Sequence, residues 1–190
     1  MYFVGKANRR ITKATVQVRW NRSSVGWCKL NSDGLALGNP KRASRGGLIH
    51  GWIKGFTRNI GISSSVEAEL WALRDGLSLC ISINIMALEI EEDVKVILEW
   101  MSNEHSCNLN NSPHIMDCRA LINQVPQVRM MHCFLEANKC ADALARNGPV
   151  IHQDLVIYDN PLVDIIMLLY YNEIGMYYER IRLQTVGFLG

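Results

Sequence analysis

No aspartate or glutamate occurs in the first 32 residues, although that stretch carries seven basic side chains: Lys6, Arg9, Arg10, Lys13, Arg19, Arg22 and Lys29. The formal charge of +2 therefore hides an asymmetry, because everything from Asp33 onward holds thirteen basic and eighteen acidic residues. A basic segment ahead of an acidic body points to contact with a polyanion, since Lys and Arg set against phosphates release condensed counterions. A solvated leader is the plain alternative. No CxxC pair exists among Cys28, Cys80, Cys107, Cys118, Cys133 and Cys140, which argues against a zinc site. Met1–Lys6 lacks an apolar run long enough for a secretory signal, so the thiols read as reduced core residues of an intracellular protein, nuclear or cytoplasmic. The most apolar stretch, residues 162–171, is too short to cross ~30 Å of hydrocarbon and contains Asp164, so no membrane partner is expected. No internal repeat or low-complexity tract is present.

What remains is a chain of 190 residues with 48% hydrophobic and 20% charged content, suited to one folded domain with terminal extensions. Residues 1–26 show no sustained period and read as a basic arm or linker. Residues 27–33 alternate as a strand, residues 34–47 are rich in turn formers, and residues 48–50 and 52–57 read as two tightly joined antiparallel strands. Ser64 followed by Glu67 is a capping box that opens a helix over 66–82, with Leu70, Leu73 and Leu77 on its apolar face. A strand is expected over 86–91, a short helix over 94–101, a polar loop over 108–111, and a helix from Ser112-Pro113 to Ile122. A strand over 127–134 and a helix over 139–146 follow, the helix halted by Asn147-Gly148-Pro149. Residues 149–190 form a C-terminal extension with a small apolar helix near 162–171.

Four acids stand in distinct local settings along this order. Asp33 closes Trp27-Cys28-Lys29-Leu30-Asn31-Ser32-Asp33-Gly34; Glu69 lies in Ser64-Ser65-Val66-Glu67-Ala68-Glu69-Leu70. Asp93 closes Leu88-Glu89-Ile90-Glu91-Glu92-Asp93, and Asp142 lies in Asn138-Lys139-Cys140-Ala141-Asp142-Ala143. Carboxylates far apart in sequence but near the ends of elements can converge on hard divalent cations, which prefer oxygen ligands. Taken singly, an Asp before Gly is a turn former and a Glu in a first helical turn complements the helix dipole. Their order and contexts, with Gly38-Asn39-Pro40 and Gly46-Gly47, resemble the ribonuclease H type-1 family, in its plant branch related to retrotransposon ribonuclease H domains. The resemblance covers roughly residues 27–148.

That resemblance implies an α/β ribonuclease H-like fold, a mixed five-stranded sheet flanked by helices. It implies endonucleolytic cleavage of the RNA strand of RNA–DNA hybrids with two Mg²⁺ ions, Mn²⁺ being the alternative. Asp33 would bridge both ions, Asp142 would share the ion that activates water, and Glu69 with Asp93 would hold the ion at the leaving oxygen. His132, ten residues before Asp142, matches the family's assisting histidine. Asn39, Lys41 and Arg42 correspond to a loop that approaches the RNA strand, while Ser64 and Ser65 stand where many members carry hybrid-touching Asn. The five basic residues Lys41, Arg42, Arg45, Lys54 and Arg58 suggest a phosphate-facing surface. Departures are also present. Val94 follows Asp93 where the family usually has Ser, Glu91 and Glu92 are near enough to compete as ligands, the turn over 47–52 is short, and Leu135 replaces a frequent Arg. These departures and the basic arm keep open a second reading, a retrotransposon-derived nucleic-acid-binding module with weak or no catalysis.

Overall fold

The computed structural model describes residues 9–38, 42–49, 51–102, 113–151 and 155–187. Its elements in order are β1 (Arg9–Val18), β2 (Cys28–Leu37), β3 (Arg42–Ile49), β4 (Lys54–Ile62), α1 (Ser65–Ser82), β5 (Ala87–Glu92) and α2 (Lys95–Ser102). There follow α3 (Pro113–Ile122), β6 (Gln127–His132), α4 (Lys139–Asn147), β7 (Val156–Tyr158), α5 (Val163–Glu173) and β8 (Tyr178–Gly187). A six-stranded mixed sheet has the order β6-β5-β2-β3-β4-β7, and a separate two-stranded ribbon pairs β1 with β8. β2 is central, antiparallel to β3 and parallel to β5, which is in turn parallel to β6. The expected mixed sheet is therefore present, with a sixth strand supplied by the C-terminal segment: β7 adds antiparallel to β4 through Gly55, Phe56 and Thr57.

Two other expectations need correction. Residues 34–47 are mostly strand, because β2 runs on through Gly34 to Leu37 and pairs with β3 as far as Leu37↔Arg42. Within the expected arm, residues 9–26 are not plain linker. From Arg9 to Val18 the chain is one strand of the ribbon, and Val18 and Trp20 are buried. Along β1 the less exposed positions are Thr12, Ala14, Val16 and Val18, alternating with exposed Lys13, Thr15 and Gln17. Small and polar residues on the inward side blunt the period-2 signal.

The sheet divides the core in two. On one face Leu30, Ile49, Phe56, Leu88 and Ile90 pack against Leu70, Leu73 and Leu77 of α1, Ile97 of α2 and Ile115 of α3. Each such leucine or isoleucine contributes about 1.5–3 kcal/mol by leaving water. On the other face Leu48 packs with Cys140, Ala141 and Leu144 of α4 and Ile165 of α5. The capping box at Ser64 has both its hydrogen bonds, so the helix begins one residue before the expected Val66. The described cysteines are free, and burial pushes the thiols of Cys80, Cys118 and Cys140 up to about 12. No helix among the described residues is long and apolar enough to cross a membrane.

Candidate metal centre

Two glycines set how closely the helices approach the sheet. A Cβ at Gly34 would lie 2.2 Å from the Glu69 nitrogen and 2.3 Å from the Ala68 carbonyl carbon, so α1 crosses β2 at backbone contact there. A Cβ at Gly46, opposite Asp33 in β3, would lie 2.4 Å from the Ala145 nitrogen, so α4 crosses on the other face. This close approach allows Gly34 N–H to donate to Glu69 Oε2 at 2.7 Å, bringing that carboxylate beside Asp33. Asp33 lies within β2 and not at its end. Glu69 sits one residue beyond the first turn of α1, where the acid is Glu67. Asp93 follows β5 directly, level with Asp33 in the parallel register that pairs Asn31 with Glu91.

Asp33, Glu69 and Asp93 each bring a carboxylate oxygen to within 4.8 Å of the other two. Among the described residues no Lys or Arg forms an ion pair with any of the three, although Arg146 is near enough for its charge to oppose the rise at Asp33. Burial, then repulsion from Asp93 and Asp142, pushes Asp33 up to about 8. Burial, then Asp33, Glu92 and Asp93, pushes Glu69 up to about 11, against the opposing Gly34 hydrogen bond. Asp93 is also raised, chiefly by burial, and its buried Oδ1 has no hydrogen-bond partner. An all-oxygen donor set with an orphaned oxygen and mutually repelling charges fits a hard divalent cation.

Asp142 stands apart from the three-carboxylate group. It lies in the first turn of α4 and accepts from Arg146 Nε at both oxygens, 3.0 and 2.9 Å away. It is near enough for its charge to raise Asp33, but a cation bound by both would compete with Arg146. His132 ends β6, stacks edge-on against Phe134 at 5.0 Å, and places Nε2 3.2 Å from the Asp93 carbonyl oxygen. Glu91 and Glu92 do not join the group. Glu91 is bound by Lys29 and by Asn31 Nδ2, the latter at 2.9 Å. Glu92 is wholly buried and accepts from Ser32 Oγ at 2.6 Å, with Oε2 unpartnered.

One positioning residue escaped sequence reasoning. Asn138 is buried at the start of α4, and its Nδ2 donates to the Ser32 carbonyl at 2.9 Å, tying the helix of Asp142 to the strand of Asp33. The signal lay in its place just ahead of the Asp142 helix, where an amide reads as an ordinary cap. Asn138 makes no side-chain cap bond.

Among the expected substrate-contacting residues, Asn39 and Lys41 lie outside the described residues, while Arg42 is exposed at the start of β3. Ser64 and Ser65 are exposed, but the Ser64 hydroxyl is engaged with Glu67 in the cap. The basic hairpin is not one phosphate-facing patch. Arg45 is fully buried, donates to Asp75 at 2.6 Å and lies over the Trp71 ring; burial pulls its guanidinium down to about 10. Lys54 pairs with Asp159, and Arg58 lies 3.7 Å from Asp75. Alternation along β3 turned Arg45 toward α1, an outcome that a count of basic residues does not reveal.

A mixed sheet whose central strand carries an aspartate opposed by acids from a helix and a parallel neighbour defines the class of ribonuclease H-like domains. Solved structures agree with that fold. The N-terminal RNase H domain of a Mycobacterium tuberculosis protein superposes with a TM-score of 0.60 at 22% identity, covering 65% of this chain and 93% of that one. RNase H1 of Halobacterium salinarum gives 0.57 at 22% identity, over 64% and 96%. LC11-RNase H1, solved in complex with an RNA/DNA hybrid, gives 0.54 at 25% identity, over 64% and 95%. The chain belongs to the reverse transcriptase-like family, whose model matches residues 12–148, from within β1 to just past α4. An Arabidopsis thaliana protein named "Putative ribonuclease H protein" is 35% identical over 141 residues, which is 71% of this chain. The chain covers only 23% of that relative's length.

Proposed function

We propose that this chain hydrolyses the RNA strand of RNA–DNA hybrids endonucleolytically, dependent on two divalent cations, Mg²⁺ or alternatively Mn²⁺. The observation that carries the reading is the convergence of Asp33, Glu69 and Asp93 within 4.8 Å, with Asp142 near enough to repel Asp33. Asp33, Glu69 and Asp93 would hold one ion, and Asp33 with Asp142 the other. When bound, such ions lower the pKa of an attacking water and stabilise the leaving 3′ oxygen. Asp142 must release Arg146 to take part, and Asn138 keeps its helix against β2 meanwhile. His132, half-buried beside Asp93, would donate from Nε2 to the Asp93 carbonyl oxygen, and Nδ1 would then accept or pass a proton as the products separate. Asn39, Lys41, Arg42, Ser64 and Ser65 would meet the backbone and 2′-hydroxyls by which RNA is told from DNA.

The test is turnover of an end-labelled hybrid in Mg²⁺, with an RNA duplex as control, for wild type beside Asp33→Asn. Hybrid-only cleavage that falls to about 1% or less in the folded variant supports the mechanism. Equal cleavage by the variant sinks it. One observation favours the second reading, a nucleic-acid-binding module with weak catalysis: Arg146 already occupies both oxygens of Asp142. Hybrid binding by a folded wild type that never turns over would establish that alternative.

A further inference from the structure

The β1–β8 ribbon joins residues from near both ends of the chain, and β8 lies outside the stretch matched by the family model. Its inward side meets the body beside the acid cluster. Arg180 lies 4.5 Å and Arg182 5.1 Å over the Phe134 ring, and that ring is the one stacked against His132. Between ribbon and body runs an open groove of about 610 Å³, lined among others by Asp93, His132, Lys95, Phe134, Arg180 and Arg182. One end of the groove is therefore part of the candidate site itself.

The charge along this groove is mostly positive. Arg180 is engaged by Glu136 at 2.7 Å. Lys95 and Arg182 are exposed and have no carboxylate partner among the described residues. Asp93 is the one carboxylate in the groove lining, which also includes Ile181 and Leu183 of β8. A guanidinium resting on an aromatic face keeps its N–H edge free, and that planar fork suits phosphate oxygens. An anionic chain that passes the acid cluster and leaves along this groove meets Lys95 and Arg182.

We infer that the β1–β8 ribbon is a clamp for the nucleic-acid backbone, with Arg182 and Lys95 gripping phosphates of the strand that passes the acid cluster. The inference rests on the reading of Asp33, Glu69 and Asp93 as the hydrolytic site, and it adds a grip supplied by the ribbon. Ten paired positions make the ribbon about 33 Å long, enough to follow several nucleotides. Each phosphate contact removed lowers the magnitude of the salt slope of binding by about one and weakens affinity without regard to sequence.

The experiment is fluorescence anisotropy with a labelled RNA–DNA hybrid in Ca²⁺ across a range of NaCl concentrations. It compares the full chain with Lys95→Ala/Arg182→Ala and with Arg182→Lys, and thermal melts check the fold. Roughly tenfold weaker binding by the double variant, a slope shallower by about two, and largely restored binding by Arg182→Lys support the clamp. Unchanged affinity and slope in a folded double variant overturn it, even if wild type cleaves hybrid well. A wild type that binds through these residues but does not cleave removes the hydrolytic reading and leaves the clamp standing.

Discussion

β2 and β5 run side by side, and within a few residues they build two opposite electrostatic environments on the same sheet face. At one end Lys29 is almost wholly buried between Glu89, 2.7 Å away, and Glu91. Arg129 closes on Glu89 from β6, Asn31 donates to Glu91, and the Trp20 indole donates to Asn31 Oδ1 at 3.0 Å. Burial pushes Glu89 up, yet hydrogen bonds from Lys29 and Arg129 outweigh it and leave the carboxyl below its ordinary value. Two residues further along, Asp33 and Asp93 meet Glu69 with no ion-paired Lys or Arg among the described residues, and all three carboxyls are raised. The contrast separates burial from purpose. At one end buried acids meet Lys29 and Arg129; at the other, Asp33, Asp93 and the neighbouring Glu92, whose carboxyl is likewise raised, are left without an ion-paired base among the described residues.

The paired end is the easier one to break. Lys29→Met strips the shared cation from two buried carboxylates and should cost about 3–5 kcal/mol, which lowers the melting temperature by roughly 10 °C. Denaturant unfolding measures it, and adding Glu91→Gln to the same chain should recover part of the loss. A cost under about 1 kcal/mol would mean that Arg129 and Asn31 suffice alone.

The crowded end responds to pH in the opposite sense. A carboxyl whose folded pKa is raised binds its proton more tightly in the folded state. Its stability contribution is therefore complete below the unfolded value near ~4 and is lost as pH rises. For Asp33 the loss runs to about pH 8. In chelator, wild-type melting temperature should fall over that window. Asp33→Asn should flatten the fall, gaining about 2–4 °C at pH 8 and nothing at pH 4. Mg²⁺ should raise the wild-type value more at pH 8 than at pH 6, because the ligands must be deprotonated. Parallel pH profiles for the two proteins would show that the Asp33 carboxyl is not raised in the folded chain.

Arg146→Ala gives the smallest change. The pair with Asp142 is one helical turn apart and partly exposed, so stability should stay within about 0.5 kcal/mol. Freed from that pairing, Asp142 should tighten Mn²⁺ binding a few-fold by titration calorimetry. Weaker binding would instead make Arg146 the residue that orients Asp142.

Local signals served well where a few neighbouring residues decide the outcome. The Ser64–Glu67 box, the leucine spacing of α1 and the strand-helix order from β5 to α4 were all legible because each is short-range. Pairing of Arg9–Val18 with Tyr178–Gly187 was not, since it depends on a partner far along the chain and on an inward face of Thr12 and Ala14. Gly148 was legible for the wrong reason. It is not a left-handed cap, with φ of −59°, and its role is space: a Cβ would lie 2.4 Å from Ser44 Cβ and 2.8 Å from the Arg58 carbonyl oxygen. At the candidate site, the positions of the four acids along the chain were plain. The split between three converging carboxylates and an Arg146-bound Asp142 was not, because it depends on which neighbour each side chain meets.

The ribbon has a mechanical side as well. Its register sets Arg9 against Gly187, so the two strand ends farthest from the body are neighbours. Tension applied at those two residues would load the ladder across its hydrogen bonds and open them one rung at a time, like a zipper. The body would feel that force once unzipping reached the Ala14–Arg182 and Val16–Arg180 rungs, whose arginines rest on Phe134. A pull at Arg9 and Gly187 is thus taken up first by the outer rungs, which lie ahead of the ribbon's contacts with Phe134.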